Sequence, residues 1–170
     1  MLKLLGAGLL MGGGLALGLR AAKELDGRIR ALDAWVSALG LLEGELAFRL
    51  PAMPELLHML SRRAASPANR VFEAAERGMD RLGEESFEDI WASALTGCAG
   101  GLGEEDVDVL CRLGTVLGRY SWEDQRQALE AVRAGLAARA AQVREELRQK
   151  GRAYGTLGLT LGTFLTILLV

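Results

Sequence analysis

The chain is poor in residues that interrupt helices and in residues that build catalytic centres. Its 170 residues include three prolines, two cysteines and one histidine, and only 5% are aromatic. Few prolines and long tracts rich in Ala, Leu, Glu and Arg favour helix, and no run of alternating apolar and polar residues indicates a strand. The sequence therefore predicts an all-α protein.

Charge and glycine patterns argue against binding of nucleic acid and nucleotides. The formal net charge of -2 leaves no globally basic surface for nucleic acid. Gly12 to Gly14 lie in an apolar segment and are followed by leucine and alanine, so they do not form a phosphate loop with its lysine. We expect neither a nucleic-acid partner nor nucleotide hydrolysis.

The chain has two cysteines and one histidine, and they are far apart in sequence. Cys98 and Cys111 lack a two-residue spacing and have no histidine near them, which argues against zinc. We expect free thiols, as in a reducing cytoplasm, although an exported protein could join them in a disulfide. His58 shares a short helix with leucines, which favours a structural or surface imidazole. The sequence predicts no catalytic residue, metal or cofactor.

An apolar segment without charge lies at each end, at 4–19 and at 153–170. As helices, both are long enough, or nearly so, to cross about 30 Å of hydrocarbon. We therefore predict a transmembrane helix over 1–20, a middle domain over 21–152 and a second transmembrane helix over 153–170.

Basic residues flank both apolar segments on the side of the middle domain. They are Arg20, Lys23, Arg28, Arg30, Arg148, Lys150 and Arg152. The positive-inside tendency then predicts a cytoplasmic middle domain. A cleaved export signal stays open as an alternative for the first segment, because Lys3 precedes it.

Glycines recur four residues apart in and beside both apolar segments: Gly8, Gly12, Gly14, Gly18, Gly151, Gly155, Gly158 and Gly162. Small residues at this spacing let helices approach closely in lipid. They could pair the two segments, join copies in a homo-oligomer, or only reflect a chain with 22 glycines.

The middle domain is expected to form a six-helix bundle that carries the two transmembrane helices. Two long helices have apolar faces Leu25, Ile29, Leu32, Val36, Leu39, Leu42, Leu46 and Leu129, Val132, Leu136, Ala140, Val143, Leu147. A cap at Ser121 starts the second. Four shorter helices follow Pro51 and Pro54, a cap at Ser66, a cap at Ser86, and Glu104.

The faces of these shorter helices follow from the same spacing. The helix after Ser66 should bury Val71, Phe72, Ala75 and Met79, and the helix after Glu104 should bury Val107, Leu110, Cys111, Gly114 and Leu117. Trp35 and Trp91 fall on or beside apolar faces and are expected in or near the core.

Several segments together resemble one known family. They are Met-Leu-Lys-Leu-Leu-Gly-Ala at the start, Leu-Leu-Glu-Gly-Glu-Leu-Ala-Phe-Arg-Leu-Pro-Ala-Met-Pro-Glu at 41–55, Phe-Glu-Asp-Ile-Trp, Leu-Gly-Arg-Tyr-Ser, and Gly-Thr-Leu-Gly-Leu-Thr-Leu-Gly-Thr-Phe-Leu near the end. In order and spacing they resemble the stage III sporulation protein AB family over the whole chain.

That resemblance implies a fold similar to the cytoplasmic domain of type II secretion inner-membrane F proteins. It also implies a non-enzymatic membrane assembly subunit of the sporulation channel complex that links mother cell and forespore. The expected partners are a secretion-type ATPase, the stage III AA member, the other channel subunits and the lipid bilayer. The expected location is the mother-cell membrane around the forespore.

The end of the first long helix is the predicted contact region, because a tip remote from the bilayer suits a cytosolic partner. Its residues are Glu43, Glu45, Arg49, Pro51, Pro54 and Glu55. The prolines could instead only end a helix, and the glutamates only solvate it. The acidic cluster Glu104, Glu105 and Asp106 is a second candidate surface, which we interpret as structural because first-turn acids stabilise helices.

Two other functions remain open from the residues. A membrane-anchored enzyme would require convergent titratable groups that the sequence does not announce. A pore-forming subunit would have to line its pore with Thr156, Thr160, Thr163 and Thr166, the polar residues of an otherwise apolar segment.

Overall fold

The computed structural model describes most of the chain. It gives the backbone of 2–48, 51–98, 100–117 and 122–169, and the side chains of 18–48, 51–98, 100–117 and 124–151. The elements are α1 Leu2–Phe48, α2 Met53–Arg63, α3 Ala68–Gly78, a 3-10 turn Met79–Arg81, α4 Phe87–Cys98, α5 Glu104–Val116 and α6 Trp122–Leu169. The described residues form six α-helices and no strand, which confirms the predicted all-α, six-helix architecture.

The chain divides into two compact units. One comprises residues 28–140, and the other comprises 1–27 with 141–170. In the second unit the described backbone is helical, and Lys150 pairs with Glu146 one turn earlier at 2.7 Å. The first unit contains α2 to α5 with the adjoining parts of α1 and α6, and it is the helical bundle.

The two terminal segments are helical in backbone, since α1 begins at Leu2 and α6 ends at Leu169. Most of their side chains lie outside the described residues. Across the part of the chain that the structure describes, no helix has a stretch that is both long and apolar enough to cross a membrane. The predicted spans and the boundaries at 20 and 153 therefore stay predictions.

The glycines proposed for helix packing fall mostly in these segments. Only two lie among the residues with described surroundings. Gly18 is half-buried, and Gly151 is exposed, so that a Cβ added to it would meet nothing within 4 Å. Gly8, Gly12, Gly14, Gly155, Gly158 and Gly162 lie outside those residues, so the packing face stays a prediction.

Three aromatic rings form the centre of the bundle. Trp35 of α1, Phe72 of α3 and Trp91 of α4 are each at most 1% exposed. Their ring centroids lie 5.7 to 6.2 Å apart, within the range of favourable tilted and edge-on contacts. The core positions predicted for both tryptophans are confirmed.

Helices α2 to α5 pack in chain order, each on the next, because short connections join them. Helix α2 buries Leu56, Leu57 and Leu60 after its proline-containing first turn. The predicted cap of α4 is confirmed: Ser86 Oγ accepts the Asp89 backbone N–H at 3.2 Å and donates to the Asp89 carboxylate at 2.6 Å.

The predicted start of α3 was wrong. Its cap position is Pro67, with no side-chain hydrogen bond, because the helix begins at Ala68 and Ser66 lies one residue too early to cap it. Met79, expected on the buried face, lies in the following turn and is half-buried. The predicted cap Ser121 lies outside the described residues.

The buried face of α5 also differs from the prediction. Val107 and Cys111 are only half-buried, whereas Asp106 and Leu113 are buried with Leu110, Gly114 and Leu117. The contact of α5 with Trp91 accounts for which of its faces is buried. Its indole N–H donates to the Leu110 carbonyl at 2.7 Å, and its Cδ1 lies 2.5 Å from where a Gly114 Cβ would be. The glycine thus lets α5 approach the indole closely.

Candidate functional site

A buried carboxylate joins three helices of the bundle. Asp106 of α5 is fully buried and accepts hydrogen bonds from Arg28 of α1 at 2.8 Å and from Arg139 of α6 at 2.8 Å. It also accepts the Gly103 backbone N–H at 3.1 Å. These donors account for both carboxylate oxygens, so the charge is compensated inside the protein.

The partners of Asp106 decide its protonation. Burial alone would raise the pKa of Asp106, but the hydrogen bonds from Arg139, Arg28 and the Gly103 N–H outweigh burial and hold this pKa below its ordinary value. A Cβ on Gly103 would lie 2.7 Å from Arg28 Nη2, so a side chain at this position would displace the Arg28 guanidinium. Asp106 therefore stays ionised at neutral pH.

The structure separates the members of the acidic cluster 104–106. Asp106 is internal, Glu105 is exposed and lies 3.2 Å from Arg139, and Glu104 is exposed in the first turn of α5. At Asp106 the interpretation of this cluster as structural agrees with the geometry. Its pairing with two arginines was not predicted.

Two ion pairs flank the last turns of α1. Glu43 lies 3.4 Å from Arg133 of α6. Glu45 lies 2.7 Å from Arg63 of α2. Residues 43 and 45 are about 200° apart around the helix, so each reaches a different neighbour. The two predicted contact residues thus bracket the outward face of α1.

Beside the Glu45–Arg63 pair lies an open depression of about 570 Å³, which we call the α1 groove. Its lining residues are Gly40, Leu41, Gly44, Glu45, Phe48, Met59 and Arg63. Phe48 is 89% exposed, the most accessible large apolar side chain among the described residues. Phe48 thus presents a single apolar ring to solvent at the edge of the groove.

The other predicted contact residues lie elsewhere or are not described. Pro54 and Glu55 are exposed in the first turn of α2, and Pro51 is half-buried before it. Pro54 lines a second depression between α2 and α3, not the α1 groove. Arg49 lies outside the described residues. The structure therefore pairs Glu43 and Glu45 with different helices, places only Glu45 in the lining of the α1 groove, and places Pro54 at the other depression.

That second depression contains the single histidine. His58 is exposed, and its Nδ1 lies 2.7 Å from Glu76 Oε1. The nearby Ser61 hydroxyl donates to the His58 backbone carbonyl at 2.7 Å, so it is not directed at the imidazole. This surface pair fits the interpretation of His58 as a surface imidazole.

Both cysteines are free thiols and half-buried. Burial, and then the nearby charge of Asp108, raises the pKa of the Cys111 thiol above its ordinary value. Among the residues the structure describes, no group of three or more side chains could hold a metal ion.

Comparison with known families decides the chain's identity. The family model of stage III sporulation protein AB matches residues 3–170. The chain belongs to this family. The resemblance inferred from the residues is thereby confirmed, and with it a place among sporulation proteins.

A solved structure supports the fold of this family member. The chain is similar to "Stage III sporulation protein AB (SpoIIIAB)" with 21% sequence identity and a TM-score of 0.63, over 72% of this chain and 97% of that chain. At this identity the likeness establishes the helical fold. No curated protein matches the chain.

Proposed function

We propose that this chain is a non-enzymatic membrane assembly subunit of the sporulation channel complex that links mother cell and forespore. In this role it serves as the platform for the secretion-type ATPase of the same set, the stage III AA member. The observation that carries the proposal is the family match over residues 3–170. Its further proposed partners are the other subunits of the complex and the lipid bilayer.

The arrangement of the long helices supports a membrane platform. Helices α1 and α6 each contain one apolar terminal segment and one long helix of the bundle. In the proposal, 1–20 and 153–170 cross the mother-cell membrane around the forespore, and 21–152 is cytoplasmic. The basic residues beside both segments favour this orientation.

The α1 groove and its two ion pairs support a docking role for the tip. The surface combines an exposed aromatic ring, one glycine, Gly44, that leaves room for an incoming side chain, and the Glu45–Arg63 ion pair. These are features of interfaces in which a few anchoring contacts dominate. We place the ATPase contact at this end of α1, with Glu43 and Glu45 among its residues.

A pull-down from sporulating cells tests the proposal, with the tagged full chain as bait. The expected result is recovery of the ATPase and further channel subunits. Reversing charge at both Glu43 and Glu45 should reduce ATPase recovery without unfolding the bundle. If the wild-type chain recovers no ATPase, the platform role is refuted.

A topology reporter tests the orientation separately. Inserted within the loop at 100–103, it should be active on the cytoplasmic side. Activity on the external face would overturn the assignment of the bundle to the cytoplasm.

A further inference from the structure

We propose that three basic side chains beside the apolar terminal segments, Arg20, Lys23 and Arg148, bind the phosphate groups of anionic phospholipids. This inference rests on the proposed function, since it takes 1–20 and 153–170 as membrane spans and names the class of lipid that surrounds them. The occupant is a negatively charged lipid surface, and phosphatidylglycerol is the probe that tests it.

Charge is divided unevenly between the two compact units. The unit formed by 1–27 and 141–170 contains seven Lys and Arg against four Asp and Glu, a net charge of +3. The unit formed by 28–140 contains thirteen against eighteen, a net charge of -5. An anionic surface therefore attracts the first unit and repels the second.

The three proposed lipid ligands have no competing partner. Arg20, Lys23 and Arg148 are exposed, and neither a hydrogen bond nor an ion pair joins any of them to another residue that the structure describes. Glu24 follows Arg20 by one helical turn but forms no ion pair with it. The N–H donors of all three side chains are therefore open to phosphate oxygens, which accept strong charge-assisted hydrogen bonds.

Two other basic residues near the apolar segments are held inside the chain. Arg28 donates to the buried Asp106, and Lys150 pairs with Glu146 at 2.7 Å. Substituting either one would remove an internal contact together with a positive charge. The lipid contact is therefore assigned to the three residues whose charge is not used within the protein.

The three residues are also close enough to the proposed spans to reach lipid headgroups. Arg20 ends the first span, and at 1.5 Å per residue Lys23 lies about 4.5 Å beyond it and Arg148 about 7.5 Å before the second span. Both distances are within the screening length of about 8 Å at physiological ionic strength. By the same measure Arg133 lies about 30 Å from the second span, where salt screens the surface.

Leu19 adds an apolar contact on the same face of α1. Its side chain is 58% exposed, and Lys23 follows it by one helical turn. An apolar side chain beside a long basic one suits the boundary between acyl chains and headgroups, where the basic group extends toward phosphate. This combination favours a lipid surface over an acidic protein segment as the occupant.

The lipid selectivity of the full chain tests the inference. The chain is reconstituted into phosphatidylcholine vesicles with a trace of spin-labelled phosphatidylglycerol or spin-labelled phosphatidylcholine. Electron spin resonance then gives the fraction of each probe that is immobilised beside the protein. We expect phosphatidylglycerol to be enriched about fivefold or more over phosphatidylcholine at low salt, and the enrichment to fall as salt is raised.

Three sets of substitutions separate charge from folding and from side-chain shape. R20Q/K23Q/R148Q should lose most of the enrichment. The matched control R62Q/R70Q/R77Q removes the same charge from exposed arginines of α2 and α3 that form no ion pair with a described residue, and it should keep the wild-type enrichment. R20K/K23R/R148K keeps the charge and should also keep the enrichment. Circular dichroism compares the helix content of all variants with wild type.

The outcomes separate this inference from the proposed function. If the wild-type chain enters the vesicles but shows no preference for phosphatidylglycerol, or if the two glutamine variants lose it equally, the inference fails while the platform role stands. Loss of the preference in R20K/K23R/R148K would overturn it as well. If the wild-type chain does not enter the vesicles, the membrane subunit proposal fails with it.

Discussion

Arg139 and Asp106 lie 2.8 Å apart inside the bundle, although they belong to different helices and are 33 residues apart in sequence. Arg28, 78 residues from Asp106, meets the same carboxylate at 2.8 Å. One fully buried charge thus connects α5 to both long helices. The bundle that presents the α1 groove depends on this contact.

Removing the buried carboxylate should destabilise the bundle strongly. We expect Asp106→Ala to lower the free energy of unfolding by about 2 kcal/mol, because two arginines lose their shared buried partner, although their own side chains are 34% and 29% exposed and can bind water instead. The exposed control Glu104→Ala should change it by no more than about 0.5 kcal/mol. Urea unfolding of the full chain, followed by tryptophan fluorescence, measures both. Equal losses of unfolding free energy in the two variants would show that the ion pairs of Asp106 do not stabilise the bundle.

The same contact should make stability depend on pH in the acid range. The pKa of Asp106 is lower in the folded chain than in the unfolded chain, so its contribution is present above the unfolded value of about 3.9 and is lost as pH falls toward the folded value. The stability difference between wild type and Asp106→Asn should therefore shrink below about pH 4. A difference that stays constant from about pH 6 to about pH 3 would contradict this assignment.

The contact between α4 and α5 should tolerate no side chain at Gly114. Alanine is the better helix former, yet its Cβ would lie 2.5 Å from Trp91 Cδ1, so we expect Gly114→Ala to destabilise by about 1 to 3 kcal/mol. Gly135→Ala is the matched control, because that position is open, and it should stabilise by up to about 1 kcal/mol. Thermal unfolding measures the stability of both variants. Stabilisation by both substitutions would refute the close approach of Gly114 to Trp91.

The two core tryptophans should differ in their response to phenylalanine. Trp91 Nε1 donates to the Leu110 carbonyl, whereas Trp35 Nε1 is buried and has no hydrogen-bond partner among the residues that the structure describes. Trp91→Phe should therefore cost about 1 kcal/mol more than Trp35→Phe, since only it breaks a hydrogen bond. The denaturant midpoints of the two variants measure this difference if the denaturant dependence of the unfolding free energy is the same in both. A larger loss of stability in Trp35→Phe would contradict the prediction.

Local spacing in the sequence was enough to predict the helices. Apolar periodicity indicated all six, and the cap predicted at Ser86 marked the start of α4. Spacing could not predict the role of Asp106, because a first-turn acid has the same local signature whether it faces water or two arginines. The face of α5 was likewise decided by the indole of Trp91, and local spacing carries no information about such a distant neighbour.

The structure brings together only part of the predicted contact region. Glu43 and Glu45 pair with Arg133 of α6 and Arg63 of α2, two helices that no pattern near residue 43 indicates. The glycines at 40 and 44 carried a usable signal, since glycine inside a long helix costs stability relative to alanine. Because both glycines lie beside the exposed Phe48, we interpret this loss of helix stability as a consequence of forming an interaction surface.

Photocrosslinking in sporulating cells tests the placement of the ATPase contact at the end of α1 most directly. A photoreactive residue in place of Phe48 lies in the α1 groove, and one in place of the exposed Ser93 on α4 serves as control. Our account predicts a crosslink to the stage III AA ATPase from position 48 and none from position 93. The absence of an ATPase crosslink from position 48, in cells where both proteins are present, would contradict it.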